Sequence, residues 1–328
     1  MAEETDGIAV RLRRPMAFLY PPQPLEDCPM PADLLARFPR LADLHSAVLA
    51  GLGWDTPIRR ETTLRWPREP QSVQQVRGAH VGVAAFSWAM TQMLAEAGLS
   101  PDVLFGHSLG LHSALTVSGA TPITDTLEVV DRTAQFLAQT HDEAPGAMLA
   151  VTGFTPNEIS EFCEQMDPPG TVFLAIINSR RQVVVSGQPD SIARLAEQLR
   201  AKRAWGLTPI PGRLPLHTPL MAPLADRCAE LIEGTHCHVP HIRLLHPTTG
   251  GTVGTVSNVE MLWRRHLLGM IDFVSALDEM ERSGVATYIE IGVGETLTRL
   301  GRWYRRDLPI FGAGNPELLE RILHARVE

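Results

Sequence analysis

Consecutive apolar runs alternate with amphipathic stretches along this chain, the pattern of strands buried on both faces and helices laid over them. Pro15-Met16-Ala17-Phe18-Leu19-Tyr20 predicts a buried strand, ended by Pro21-Pro22. Residues 1–15 mix acids and arginines and predict a polar N-terminal tail. Arg77 to Gly98 predicts a long, mostly apolar helix, with Gly98 at the C′ position where a left-handed residue ends a helix. Pro101-Asp102-Val103-Leu104-Phe105 then predicts a strand with a β-branched centre. Thr124-Asp125 can cap a helix to about Thr140, with Leu127, Val130 and Leu137 on its apolar side.

The pattern changes after residue 145. Gly146–Val151 predicts a strand, Thr155–Gln165 a helix opened by Thr155-Pro156, and Val172–Ile177 a strand. Gln182–Ser186 predicts another strand, Pro189–Ala201 a helix and Trp205–Ile210 a strand. This β-α-β-β-α-β order is the ferredoxin-like arrangement, here inserted into a larger α/β unit. The larger unit resumes with Ala222–Glu233, a strand near Ile242–Leu245, a helix near Val259–Leu268 and a strand at Thr287–Ile291. No internal repeat is visible, and the proline-rich stretch 21–31 stands alone as a biased segment.

Composition narrows the partners. With 328 residues, 44% hydrophobic and 20% charged, the chain can bury a large core. A formal net charge of -8 argues against nucleic acid, whose phosphates need a basic surface. Cys28, Cys163, Cys228 and Cys237 are far apart and form no C-x-x-C pair, which suggests a reducing compartment. Residues 1–14 lack the apolar core of a secretion signal, and no apolar run is long enough to span a membrane. The expectation is a cytoplasmic monomer.

Candidate chemistry centres on Gly106-His107-Ser108-Leu109-Gly110. It is a G-x-S-x-G elbow between a predicted strand and a helix-compatible run, the context in which the serine oxygen is exposed at a helix N-terminus. Free N–H groups there can stabilise an oxyanion. A nucleophilic serine needs a base, and His217 follows the inserted unit in Leu214-Pro215-Leu216-His217-Thr218-Pro219.

Several motifs in order carry a resemblance. They are the elbow, Asn178-Ser179 with Gln182-Val183-Val184-Val185-Ser186-Gly187, Pro215-Leu216-His217, and Glu290-Ile291-Gly292-Val293-Gly294. From about Met16 to Glu290 and beyond, the chain resembles the malonyl-CoA:acyl-carrier-protein transacylase family, including polyketide synthase acyltransferase domains. The resemblance implies an α/β fold, an α/β-hydrolase-like core (16–144 and 212–328) carrying a ferredoxin-like subdomain (145–211) after the tail 1–15. It implies Ser108 as nucleophile and His217 as base, oriented by backbone carbonyls near His246-Pro247. Leu109 and Gln23 would supply the oxyanion N–H groups. The implied partners are acyl carrier proteins or a carrier domain of a polyketide synthase. No cofactor is bound. The phosphopantetheine arm of the carrier, or a coenzyme A thioester, arrives as substrate.

Departures from the family bear on the acyl group. Family members hold the malonyl carboxylate with an arginine in the helix after the elbow, a task suited to the guanidinium fork. Without a gap this column falls on Thr133, with Arg132 one residue, or about 100°, away around the helix. A one-residue gap would restore Arg132 as the clamp. Leu111 replaces a glutamate, Gly78-Ala79-His80 replaces a T-Q-P stretch, and His266 replaces a glutamine. His107, Arg132, Thr133, Asn178, Leu216 and His266 are the candidate substrate contacts. The resemblance to divergent stand-alone members points to a neutral, aminoacyl or dipeptidyl-type unit in a macrolactam pathway. The alternatives are a malonyl transacylase using Arg132, an editing acyl hydrolase, and a non-catalytic carrier-binding module.

Arg180, Arg181, Arg299 and Arg302 are candidate docking residues for an acidic carrier. His236-Cys237-His238-Val239-Pro240-His241 lacks the spacing of a zinc site and predicts a strand edge with alternating polar residues. No metal is expected. Gly292-Val293-Gly294 predicts a turn near a strand end rather than a dinucleotide site.

Overall fold

In the computed structural model, the described residues are 10–24, 28–29, 32–54, 56–67, 72–140 and 145–328. Among them a five-stranded sheet runs in the order Arg243–Leu244, Val103–Gly106, Met16–Tyr20, Thr287–Glu290, Ile310–Gly312, with every pairing parallel. Met16–Tyr20 lies at its centre and is buried at every position, as its unbroken apolar run requires. Its register with Val103–Gly106 sets Tyr20 beside Gly106, so two strands end together just before Ser108. Those carboxyl ends are where an open α/β sheet forms its crevice.

The helix Val73–Glu96 packs beneath this sheet, and Gly98 adopts the left-handed conformation (φ +83°) expected at its end. The helix Ile123–Thr140 lies against it and buries Leu127, Val130 and Thr133, while Leu137 is half-buried. None of the described helices is long and apolar enough to cross a membrane.

The second sheet has the order Ile271–Asp272, Val172–Ser179, Gln182–Gly187, Ala147–Thr152, Gly206–Ile210. Its last four strands pair antiparallel and enclose the helices Pro156–Glu164 and Pro189–Ala201, the expected β-α-β-β-α-β sequence. Thr155 opens the first of these helices with a reciprocal capping box to Glu158. The fifth strand was not foreseen. Ile271–Asp272 comes from the later chain, joins the sheet edge in parallel, and runs straight into the helix Phe273–Arg282. That helix buries Phe273, Ala276, Leu277 and Met280 in a core shared with Val103, Phe105 and Ala175, which ties the two sheets into one body.

Two expectations need correction. Val10 and Leu12 are buried, and Arg11–Leu12 pairs in parallel with Arg326–Val327, so residues 10–12 are structured rather than tail; residues 1–9 lie outside the described residues. Long-range pairing with the far end of the chain leaves no local signature. The segment 236–240 is not a strand edge. It is irregular backbone, pinned where the His238 and His241 N–H groups donate to the carbonyls of Ala120 and Ser118 at 2.8 Å each. No cluster of metal-binding side chains occurs among the described residues.

Candidate active site

The strand Val103–Gly106 stops, Ser108 takes a left-handed conformation (φ +53°), and the helix Gly110–Val117 begins. A non-glycine residue in that region is strained, and here the strain lifts the hydroxyl out of the turn. The flanking glycines serve close approach rather than positive φ. A Cβ on Gly110 would lie 2.2 Å from the Tyr20 carbonyl oxygen, and one on Gly106 would lie 2.4 Å from Leu111 Cα.

Ser108 Oγ lies 3.0 Å from His217 Nε2. His217 is likewise held at positive φ (+61°) and is buried. Its backbone N–H donates to Leu267 O at 2.8 Å and its Nδ1–H donates to Gly269 O at 3.1 Å. The carbonyl that orients the ring therefore comes from Gly269, not from His246-Pro247. The irregular turn between the helix Val256–Arg264 and the strand Ile271–Asp272 brings it there, and a backbone carbonyl carries no side-chain signal in sequence. Burial, with smaller contributions from His107 and His266, pushes His217 down to about 3, against the bond to Gly269; the resting ring is neutral.

The Leu109 and Gln23 N–H groups donate to no acceptor among the described residues, and both residues line a cavity of about 30 Å³ beside Ser108. That cavity is also lined by His80, His112, Thr133, Leu216, His217 and His266. It shares Gln23, His80, Leu137 and Leu216 with a wider cavity of about 380 Å³, mostly apolar, with Arg213 on its wall. A third cavity of about 220 Å³ shares Ser108, His217 and His266 with the small one and is further bordered by His246, Thr248, Met261 and Arg265.

The candidate substrate contacts divide. Thr133, Leu216 and His266 line the cavity at Ser108. Arg132 does not: it is exposed on the helix Ile123–Thr140 and borders none of the three cavities, while its neighbour Thr133 is buried. The Thr133 hydroxyl sits near the Cys228 thiol without a well-formed hydrogen bond, and is buried and unpaired. His107 and Asn178 pair with each other (Nε2 to Oδ1, 3.4 Å) and border none of these cavities. Their contact reaches from the elbow to the second sheet.

Sequence reading missed His112, Arg265 and Gly269 as site residues. His112 falls one helical turn after Ser108, a spacing that could have marked it.

Arg180, Arg181, Arg299 and Arg302 are all exposed. Arg180 lies 3.9 Å from Asp278, which also accepts from the Tyr304 hydroxyl at 2.6 Å, so Arg180 neighbours the helix Thr296–Tyr304 that carries Arg299 and Arg302. Arg181 faces Glu158 at 3.8 Å. The helix Thr296–Tyr304 begins on the buried Glu290 carboxylate, which accepts from the N–H groups of Leu297 and Thr298 at 2.9 and 2.7 Å. Gly292 and Gly294 make the turn between them at φ +150° and +85°, as expected for this stretch.

A serine raised on a strand–helix turn, a neutral histidine on its hydroxyl and free N–H groups beside it define an acyl-transfer type of site. The chain belongs to the acyl transferase domain family, whose model matches residues 41–303, and it is an acyltransferase. It is 25% identical over 309 residues to the malonyl CoA-acyl carrier protein transacylase of Bacillus subtilis (strain 168), covering 93% of this chain and 95% of that protein. It is 29% identical over 218 residues to polyketide synthase GfsA of Streptomyces halstedii, covering 66% of this chain and 3% of that much longer one. Its fold matches the malonyl-transacylase PlMCAT, solved with the type II PKS acyl-carrier protein AntF. The TM-score is 0.85 at 23% identity, over 94% of this chain and 99% of the other.

Proposed function

We propose that the chain is a carrier-protein-dependent acyltransferase of polyketide biosynthesis that moves a neutral, aminoacyl or dipeptidyl-type acyl group between acyl carrier proteins. In this reading the parallel sheet is an α/β-hydrolase-like core and the second sheet its ferredoxin-like insert. His217 Nε2 takes the Ser108 proton as Oγ bonds to the thioester carbonyl carbon, and the carbonyl oxygen becomes an oxyanion held by the Leu109 and Gln23 N–H groups. The oxyanion collapses, the C–S bond breaks, and the imidazolium gives its proton to the departing thiolate. A second phosphopantetheine thiol then reverses the steps and removes the acyl group. Gly269 O supports the ring while it carries charge. The exposed arginines give an acidic carrier a basic rim to meet.

The observation that carries the acyl preference is the cavity beside Ser108, which has no arginine or lysine on its wall. A malonyl carboxylate placed there would be desolvated without a partner, at a cost of several kcal/mol. Intact-mass measurement of the protein offered malonyl, acetyl and aminoacyl thioesters tests it, with Ser108→Ala as control. A neutral or aminoacyl adduct on Ser108 that passes to a carrier thiol is the expected outcome. A dominant malonyl adduct overturns the preference, and release of the adduct to water instead of thiol assigns a hydrolase. Malonyl transfer is the second reading, favoured by the malonyl transacylases among the relatives, and Arg265 is the cation it would use in the 220 Å³ cavity.

A further inference from the structure

The wall of the small cavity is built of imidazoles whose tautomers are fixed by their neighbours. His80 Nδ1 lies 2.8 Å from Val76 O, one turn earlier in the same helix. A carbonyl can only accept, so Nδ1 carries the hydrogen and Nε2 is left with a lone pair on the opposite edge of the ring. His266 repeats the arrangement: Nδ1 donates to Trp263 O at 2.9 Å, and Nε2 is a lone-pair acceptor. His112 has the other tautomer. The Trp263 indole N–H, which can only donate, points to His112 Nδ1 at 3.1 Å, so His112 Nε2 bears the hydrogen. Burial holds His80 and His266 down to about 4 and His112 well below its ordinary value, so all three rings are neutral near pH 7.

The residues lining the cavity therefore carry two imidazole acceptors, one imidazole donor and the unpaired Thr133 hydroxyl, among Val130, Leu137, Leu216 and Leu267. Lone pairs on a wall repel a carboxylate and leave an all-carbon chain unable to satisfy them. A secondary amide complements this set: its N–H can be met by an imidazole Nε2, and its carbonyl can accept from His112 or Thr133. His80 and Leu216 border both the small cavity and the 380 Å³ one, so an acyl chain carrying such an amide near the thioester would continue into the wider space.

We propose that His80 and His266 are specificity-determining residues of this site, acting as neutral Nε2 acceptors that select acyl groups bearing an N–H donor close to the thioester carbon. This rests on the acyl-Ser108 reading above. It goes beyond that reading in assigning selection to the tautomers of two histidines.

The test compares isosteres on the unaltered protein. The rate of Ser108 acylation is followed by intact mass with 3-acetamidopropionyl-pantetheine and with 3-acetoxypropionyl-pantetheine, which replaces only the N–H by oxygen. The amide is expected to acylate faster by about tenfold to a hundredfold, the discrimination typical of a site whose buried acceptor is otherwise unpaired. In His266→Leu and His80→Leu that ratio is expected to fall towards one; the ratio is read rather than the rate, so a general loss of activity does not mimic the result. A purely packing role for the two rings would leave the ratio unchanged. Equal rates in the unaltered protein overturn this inference and leave the acyl-serine reading standing. Failure of both thioesters to acylate Ser108, with malonyl succeeding, overturns the neutral-acyl reading and the inference together.

Discussion

Ser108 borders two cavities that differ in charge. Thr133, His80, His112 and His266 line a space of about 30 Å³ with neutral polar atoms only. The other, a space of about 220 Å³, is bordered by Arg265, which has no ion-pair partner among the described residues. Residues of two packed helices, Val73–Glu96 and Ile123–Thr140, line the first, and His112, Val130 and Thr133 on its wall are buried, so a charge placed against them would be desolvated. The second is rimmed by the exposed Met261 and by Arg265 itself, where water screens charge. On the proposed reading, the type of acyl group accepted depends on which of the two spaces it occupies, with Ser108 and His217 bordering both.

The largest effect is expected from removing what both sides share. His217→Ala should slow Ser108 acylation by on the order of 10³-fold or more for every acyl donor, measured by single-turnover mass kinetics. A loss confined to one class of donor would mean that the two cavities do not share a base. Next comes Thr133→Arg, which puts a guanidinium on the neutral side. Acylation by neutral donors should fall about tenfold or more, because the cavity is too small to hold the new side chain without displacing the acyl chain. An unchanged neutral rate in a variant with an unaltered melting temperature would place the acyl group on the Arg265 side.

A smaller effect concerns pH. A histidine base at its ordinary value near 6.5 would lose about fivefold in rate between pH 6.5 and 5.5 as it protonates. With His217 pushed down by burial to about 3, the free base persists, and kcat/KM for neutral donors should stay nearly flat from pH 8 to pH 5. A steep acidic limb centred near 6.5 would show that the ring is solvated in the working enzyme. The smallest effect is expected from Arg265→Ala, under about threefold for neutral donors in the same assay. A tenfold loss restricted to malonyl would instead assign Arg265 as a carboxylate clamp.

Much of the frame was legible because it is local. Met16–Tyr20 is a consecutive apolar run, and Pro189–Ala201 and Thr155–Glu164 announce their starts with proline and a capping box. The elbow was legible because its glycines are forced by contact with Tyr20 and Leu111. The helix Phe273–Arg282 went unread although its buried positions 273, 276, 277 and 280 follow helical spacing, and the pairing of Arg11–Leu12 with Arg326–Val327 had no local cue at all.

The sequence by itself determined the alternation of strands and helices, the serine elbow and the histidine at residue 217, since each depends on neighbours within a few positions. It left Thr133 and Arg132 both open as the carboxylate-facing position, because residue spacing separates them by about 100° around the helix without saying which one faces inward. Only the tertiary structure decided that Gly269 orients His217, that Arg132 points away from the site, and that four histidines gather around Ser108. The tautomers of His80 and His266 are fixed by carbonyls within one turn of chain, whereas those of His217 and His112 depend on Gly269 and Trp263 far along the chain, and the neutral state of all four follows from burial.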